Sequence, residues 1–142
     1  MGMILGIYCP DCKKTFNFQA GIGMLPLNQF FLEELPEDTE IMNQLKESEI
    51  EIPSSADELI KCESKIYYCK NCHQIKEFNY FKFLKHPSFT PKRICPDCSN
   101  RIKYISNIAD IANERLSICC PECKKEIKSE VPGTNIQIGF WD

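Results

Sequence analysis

Eight of the ten cysteines in this 142-residue chain occur as four Cys-x-x-Cys pairs. Two thiolates separated by two residues can bind one metal ion from the same side of a tight turn, and zinc takes four such ligands in a tetrahedron. Proline follows the first cysteine in three of the pairs and favours that turn. The spacing therefore predicts two zinc ions bound by Cys9, Cys12, Cys69, Cys72, Cys95, Cys98, Cys120 and Cys123.

Other uses of these cysteines are weaker hypotheses. Disulfides are disfavoured because no secretory signal pattern precedes the pairs. A thioredoxin-like redox pair lies between a strand and a helix, whereas the residues after Cys12 alternate as in a strand. Iron bound by four thiolates uses the same ligands, so the choice between zinc and iron stays open.

The spacing leaves open which pairs share a metal. Sequential pairing (first with second, third with fourth) and nested pairing (first with fourth, second with third) both supply two sets of four cysteines. We favour sequential pairing, because each metal would then close one half of the chain. Cys119 is an alternative to Cys120, which we prefer because it restores the regular spacing.

The remaining cysteine and the two histidines are not needed as ligands. Cys62 stands alone, and we expect it to be a small buried hydrophobic residue. His73 follows the second pair and His86 precedes a proline, and we expect both to lie at the surface or beside a ligand.

Short alternating segments flank every Cys-x-x-Cys pair and predict strands, with the metal at the tip of each hairpin. The fold class is therefore small α+β, stabilised by metal, with a helical insertion. We expect one compact domain or two fused zinc-ribbon halves. The segments are a hairpin (1–27), a helical insertion (28–62), a second hairpin (63–92) and a second ribbon half (93–142).

Within the insertion, helical periodicity predicts helices at 28–35 and about 38–49, separated by Pro36. Ser55 and Glu58 form a capping-box pattern, which predicts a brief helix ending near Cys62. Residues 107–115 suit a short helix or an irregular loop, and the alternating tail at 135–142 suits a final strand. Gly21, Ile22 and Gly23 predict a turn.

Charge is divided sharply along the chain. Residues 28–60 carry a net charge of −9 and residues 61–103 carry +7, although the whole chain carries only −3. Such asymmetry indicates either a basic binding face or an acidic segment folded against a basic one. Lysines alternate with aromatic residues in the basic segment. The candidate contacts for a protein partner or nucleic acid are Lys76, Tyr80, Phe81, Lys82, Lys85 and Arg93.

That alternation has two interpretations. A strand of lysines and aromatics can neutralise phosphates and stack bases. A half-buried strand, with phenylalanines facing the core and lysines facing water, has the same pattern. We favour the half-buried strand, because the overall pI of 5.5 lies below the range usual for nucleic-acid-binding proteins.

The Cys-Pro-x-Cys pairs between strands resemble the zinc-ribbon (rubredoxin-like) group. More of the chain resembles small bacterial double zinc-ribbon proteins of unassigned function, through residues 8–12, the following 21–24, the later cysteine pairs and the closing Trp141-Asp142. The resemblance implies a cytoplasmic metal-bound fold and no particular activity. The chain departs from the usual pattern, in which glycine follows the second cysteine, at Lys13, His73, Ser99 and Lys124.

The expected function follows from the closed metal sites. Zinc bound by four thiolates has no open position for water or substrate, so we expect no metal catalysis and no enzyme. The leading hypothesis is a cytoplasmic zinc protein that serves as a protein-interaction module. The alternatives are nucleic-acid binding through residues 61–103 and a thiol redox function. No stretch has the length and hydrophobicity of a membrane span.

Overall fold

The computed structural model describes residues 2–21, 28–112, 116–127 and 135–141, without the side chains of residues 28–30, 112 and 141. The elements in chain order are β1 (Gly2–Cys9), β2 (Lys14–Gly21), α1 (Asn28–Glu34), a 3-10 turn (Leu35–Glu37), α2 (Thr39–Glu47), a second 3-10 turn (Ala56–Glu58), β3 (Leu59–Tyr68), β4 (Ile75–Phe83), β5 (Arg93–Ile94), β6 (Arg101–Tyr104), α3 (Ala109–Ala112) and β7 (Ile136–Trp141).

The strands form an antiparallel sheet in which their order is β5-β6-β3-β2-β1-β7, with β4 also paired to β3. The hairpins β1–β2 and β3–β4 have the longest ladders. The first pairs Cys9 with Lys14, and the second pairs Tyr68 with Ile75. Each hairpin therefore closes directly around a Cys-x-x-Cys pair. The described part of the chain is mostly β, with a few short helices.

The described residues form three hydrophobic clusters, of which two contain most of the buried aliphatic and phenylalanine side chains. One contains Leu5, Ile7, Ile66, Ile75 and Ile118, which bring β1, β3 and β4 together with the segment before the last cysteine pair. The other lies under the helical insertion. Its buried members are Phe31, Leu35, Ile41, Leu45, Leu59, Cys62, Phe81 and Phe83. The alternation of β4 thus places Phe81 and Phe83 in the core, as the half-buried strand hypothesis requires, whereas Phe78 is half-buried on the other face of the strand.

The helical insertion follows its local signals. Pro36 lies in a 3-10 turn between α1 and α2, where its ring would clash with a continuous helix. Asp38 caps α2 by accepting a hydrogen bond from the backbone of Ile41 at 3.2 Å. The described parts of this segment confirm the two predicted helices to within about two residues.

One predicted element is wrong. The capping box forms, with Ser55 accepting from the backbone of Asp57 and Glu58 accepting from the backbone of Ser55. It caps only one 3-10 turn, and β3 begins at Leu59 in place of the brief helix predicted to about Cys62. Pairing with β4 over the whole length of β3 outweighs the local helix signal.

The predictions for residues 107–115 and for the tail at 135–142 can be compared with the described residues. Residues 109–112 form the one-turn helix α3, which lies within the segment where we expected a helix or a loop. The tail forms β7 against β1. The expected turn at Gly21-Ile22-Gly23 falls mostly outside the described residues, as do Met24 and Asp142. Among the described helices, none is long and apolar enough to span a bilayer.

Candidate metal centres

All four Cys-x-x-Cys pairs adopt the same backbone turn, here called a knuckle and numbered first to fourth along the chain (residues 9–12, 69–72, 95–98 and 120–123). In each one, the residue after the second cysteine donates its backbone N–H to the carbonyl of the first cysteine. The nitrogen–oxygen distances are 2.8 Å for Lys13, His73 and Ser99 and 3.0 Å for Lys124. Four local sequences therefore build one geometry.

The position after each knuckle has a left-handed backbone. The φ values are 55° at Lys13, 56° at His73, 62° at Ser99 and 63° at Lys124. Glycine adopts this conformation without strain, whereas the conformation is energetically unfavourable for residues with a Cβ. These are the four positions where the chain departs from the glycine of zinc ribbons. The turn forms in spite of that departure.

Replacing Ser99 with glycine should therefore stabilise the metal-loaded protein. Glycine relieves the left-handed strain, but it also makes the unfolded chain more flexible. We expect the free energy of unfolding to rise by about 0.5–1 kcal/mol as the net result. Urea unfolding of the metal-loaded protein measures the change. Ser99→Ala is the matched control, because it removes the hydroxyl but keeps the Cβ. Equal stability of the two variants would show that strain at this position is negligible.

The structure brings the eight cysteines of the four knuckles together in two groups of four. The outer centre contains Cys9, Cys12, Cys120 and Cys123, and the inner centre contains Cys69, Cys72, Cys95 and Cys98. Within each group the sulfur atoms all lie within 4.8 Å of one another. Pairing is therefore nested, and our preference for sequential pairing was wrong.

Strand pairing explains the nesting. β3 ends at the second knuckle, and its last residues pair with β6, which follows the third knuckle: Tyr67 lies opposite Tyr104 and Tyr68 opposite Lys103. The second and third knuckles are thereby held side by side. β2 also pairs with β3, at Ser64, and connects to β1 and the first knuckle. The fourth knuckle is left to complete the outer centre.

The sulfur positions fit a tetrahedral thiolate site. Four zinc–sulfur bonds of about 2.3 Å imply sulfur–sulfur edges of about 3.8 Å. In the outer centre, Cys9 to Cys123 and Cys12 to Cys120 both measure 3.8 Å. The inner centre is slightly tighter, with 3.4 Å from Cys69 to Cys98 and 3.5 Å from Cys72 to Cys95. Each group can hold one metal ion of this size.

Residues that flank the second knuckle connect the two centres by hydrogen bonds. The side-chain amide of buried Gln74 donates to the carbonyl of Cys120 at 3.2 Å. The backbone N–H of Cys119 donates to the carbonyl of His73 at 2.8 Å. Tyr68 donates its hydroxyl to the carbonyl of Ser117 at 2.7 Å. The segment that leads to the fourth knuckle and Cys120 is therefore held by residues that flank the inner centre.

Charged residues also bridge the centres. Asp97 of the third knuckle pairs with Lys76 at 2.9 Å and with Lys124, beside the fourth knuckle, at 3.7 Å. These two cations hold the pKa of Asp97 below its usual value, chiefly through the hydrogen bond from Lys76. Lysines next to thiolates also offset the negative charge of a centre with four thiolates.

The thiols differ in their proton affinity. A hydrogen bond with Cys123, together with burial, raises the pKa of Cys12 to about 12. Burial is the main cause that raises the pKa of Cys72 to about 12. Hydrogen bonds from the backbone and side chain of Asn100 lower the pKa of Cys98 to about 6. In Cys120, burial acts to raise the pKa, but backbone N–H groups of Cys123 and Glu122 help to lower it to about 7. A metal that binds these groups must displace protons.

The spare cysteines and histidines lie outside both groups of four. Cys62 is 1% exposed within the core under the helical insertion, as expected. Cys119 lies beside Cys120, which is the member of the outer centre, as preferred from the spacing. The ring of His73 shares a 2.7 Å hydrogen bond with the hydroxyl of Tyr68. His86 is exposed and far along the chain from any knuckle.

The six candidate partner contacts are not gathered on one surface. Phe81 is fully buried and Arg93 is 2% exposed, so neither side chain offers a surface to a partner in this fold. Lys76 is paired with Asp97, and Lys85 with Glu58 at 2.7 Å. Tyr80 is half-buried, with the ammonium group of Lys65 4.3 Å from the centre of its ring. Lys82 is half-buried on β4.

The divided charge is explained in part by contacts within the chain. Arg93 forms a bidentate pair with Asp38, at 2.9 and 2.8 Å, and also donates to the carbonyl of Asn79. Glu40 accepts the backbone N–H of Ile94 at 2.9 Å. The acidic insertion is thus clamped to the basic segment. The sequence identified the two charged segments, but it gave no signal that Arg93 is buried.

Comparison with known protein families, curated proteins and solved structures finds no match to this chain. The two groups of four cysteines, in Cys-x-x-Cys spacing, are consistent with sites of the zinc-ribbon kind.

Proposed function

We propose that the protein is a non-enzymatic interaction module of the zinc-ribbon kind, in which two zinc ions hold the binding surface in shape. The observation that carries the proposal is the convergence of eight thiols into two groups of four, in each of which the sulfur atoms lie within 4.8 Å of one another. A zinc ion with four thiolate ligands has no open position, so it supplies stability and no reaction step.

Zinc is preferred to iron because thiolate sets of this kind between short strands are usual for structural zinc. Cys9, Cys69, Cys95 and Cys120 are buried, and their partners Cys12, Cys72, Cys98 and Cys123 are half-buried. Such thiols keep their metal-binding form in the reducing cytoplasm, which is the proposed location.

The size of the cores supports a structural use of the metal. The hydrophobic residues are divided among three clusters, and the third consists largely of cysteines of the inner centre with Tyr67 and Ile102. A small divided core supplies little net stability. A structural zinc ion contributes an apparent ~10–16 kcal/mol in small fingers, which exceeds the net stability of most domains.

The test combines metal analysis with thiol alkylation of protein purified without added metal. We expect two zinc ions per chain and a colourless protein, with the eight ligand thiols protected from a maleimide reagent until a chelator is added. A red protein that contains iron would show that the bound metal is iron, and iron would then take the place of zinc in the proposal. Folded protein without metal, or a ligand thiol that reacts while both ions are bound, would overturn it, and the latter would favour a thiol redox function.

A further inference from the structure

A basic, concave surface surrounds β6 and borders the inner metal centre, since Cys69 also lines it. One concavity of about 680 Å³ lies between β6 and the second knuckle. Another of about 500 Å³ lies between β6 and residues 90–92. Arg101, Lys103 and Tyr104 line both of them, Lys70 lines the first and Lys92 the second. We call these five residues the β6 surface.

The cations of the β6 surface are free to meet an anion. Lys70, Lys92, Arg101 and Lys103 are all exposed, and no described carboxylate lies within ion-pair distance of them. Most other basic residues of 61–103 are already paired with carboxylates: Lys61, Lys65, Lys76, Lys85 and Arg93. Within the first concavity, three cations face a single carboxyl group, that of Asp110.

The acidic character of the whole chain does not cancel this local charge. Asp38, Glu40 and Glu58 of the insertion bind Arg93, the backbone of Ile94 and Lys85. Those contacts place Asp38 and Glu40 beside β5, the strand that pairs with β6. No described carboxylate of the insertion forms an ion pair with the four cations of the β6 surface.

An aromatic residue, Tyr104, lines both concavities. Tyr104 is 43% exposed, although it contacts Tyr67 and Tyr80 edge-on. The ammonium group of Lys65 lies 3.6 Å from the centre of the ring. The ring is therefore fixed in orientation while part of it stays open to solvent. A fixed, partly exposed ring suits the stacking of an unpaired base.

We propose that the β6 surface binds single-stranded nucleic acid. The strand crosses β6 from one concavity to the other, with its phosphates near Lys70, Arg101, Lys103 and Lys92 and one base against Tyr104. In a duplex the bases are paired and stacked inside the helix, so none of them can stack on the ring. An acidic peptide can pair with the cations but has no base to stack on the ring. The inference rests on the proposed function, since the inner metal centre positions β6 between the third knuckle and β3.

The experiment measures binding of a fluorescent 12-nucleotide thymidine or uridine oligomer to the metal-loaded full chain, beginning at about 50 mM salt. Four phosphate contacts predict a slope of log affinity against log salt of about −2.8. Removing one cation, by Arg101→Ala or Lys103→Ala, should reduce that slope by about 0.7 and weaken binding several-fold. Tyr104→Leu should weaken binding by about tenfold and leave the slope unchanged.

The controls separate this inference from the metal proposal. Lys46→Ala removes an exposed cation from α2, outside the β6 surface, and should change neither affinity nor slope. Metal content is measured for every variant. No binding by protein that carries two ions, equal competition by poly-glutamate, or equal affinity for a duplex would overturn the inference and leave the metal proposal intact. Loss of metal from the unmodified protein would count against the metal proposal instead.

Discussion

Replacing Cys72 with alanine is expected to unfold the whole chain, whereas replacing Cys12 with alanine should leave a folded unit around one metal ion. The two centres differ in how they are supported. The inner centre is built by β3, β4, β5 and β6, all within residues 59–104. The outer centre depends on contacts with Tyr68, His73 and Gln74, which flank the second knuckle of the inner centre.

Chain connectivity also favours the formation of the inner centre before the outer one. The inner centre joins Cys72 to Cys95, 23 positions apart, and the outer centre joins Cys12 to Cys120, 108 positions apart. Closing the longer loop costs about 1.4 kcal/mol more in chain entropy. The inner centre should therefore form first, and the outer centre should close last over an existing sheet.

Metal content and proteolysis test this order. Cys12→Ala should bind one ion per chain and yield a protease-resistant fragment that contains residues 59–104, whereas Cys72→Ala should bind none with structural affinity. Cys119→Ala is the matched control, because it removes a thiol beside the outer centre that is not part of it, and it should keep two ions. A Cys72→Ala protein that keeps one ion and a native circular dichroism spectrum would contradict the proposed order.

Arg93→Met is expected to destabilise the metal-loaded protein by about 3 kcal/mol. The guanidinium group is 2% exposed and binds both carboxylate oxygens of Asp38, so its loss leaves a half-buried carboxylate without its cation and removes a donor from the carbonyl of Asn79. It also lies over the ring of Phe78, 4.9 Å from the centre. The change removes the main polar clamp between the helical insertion and the sheet.

Urea unfolding at fixed zinc concentration measures the effect of Arg93→Met. Lys85→Met is the matched control, because its pair with Glu58 also joins the insertion region to the basic segment but is exposed to solvent. Exposed pairs contribute little, so the control should unfold close to the unmodified protein. Equal effects of the two substitutions would show that the burial of Arg93 does not strengthen the clamp. Both variants should keep two metal ions.

Local sequence signals predicted much of the metal centres and part of the fold. The identity of the eight cysteines in the two groups, the choice of Cys120 over Cys119, and the burial of Cys62 follow from spacing and residue type. The first hairpin, both helices of the insertion and the final strand also follow from local periodicity. The capping box formed as its residues required, but it could not extend a helix into a segment that pairs with β4.

Contacts between distant residues decided the rest. Sequential and nested pairing satisfy the same Cys-x-x-Cys spacing, and only the pairing of β3 with β6 brings the second and third knuckles together. The alternation of lysine and phenylalanine in β4 did not reveal which basic residues would form ion pairs with the acidic insertion. Spacing along the chain determines which thiols can bind a metal, because a knuckle is a local turn. Which knuckles meet, and which cations stay free, depends on the tertiary fold, because strand pairing and burial join residues that are far apart in sequence.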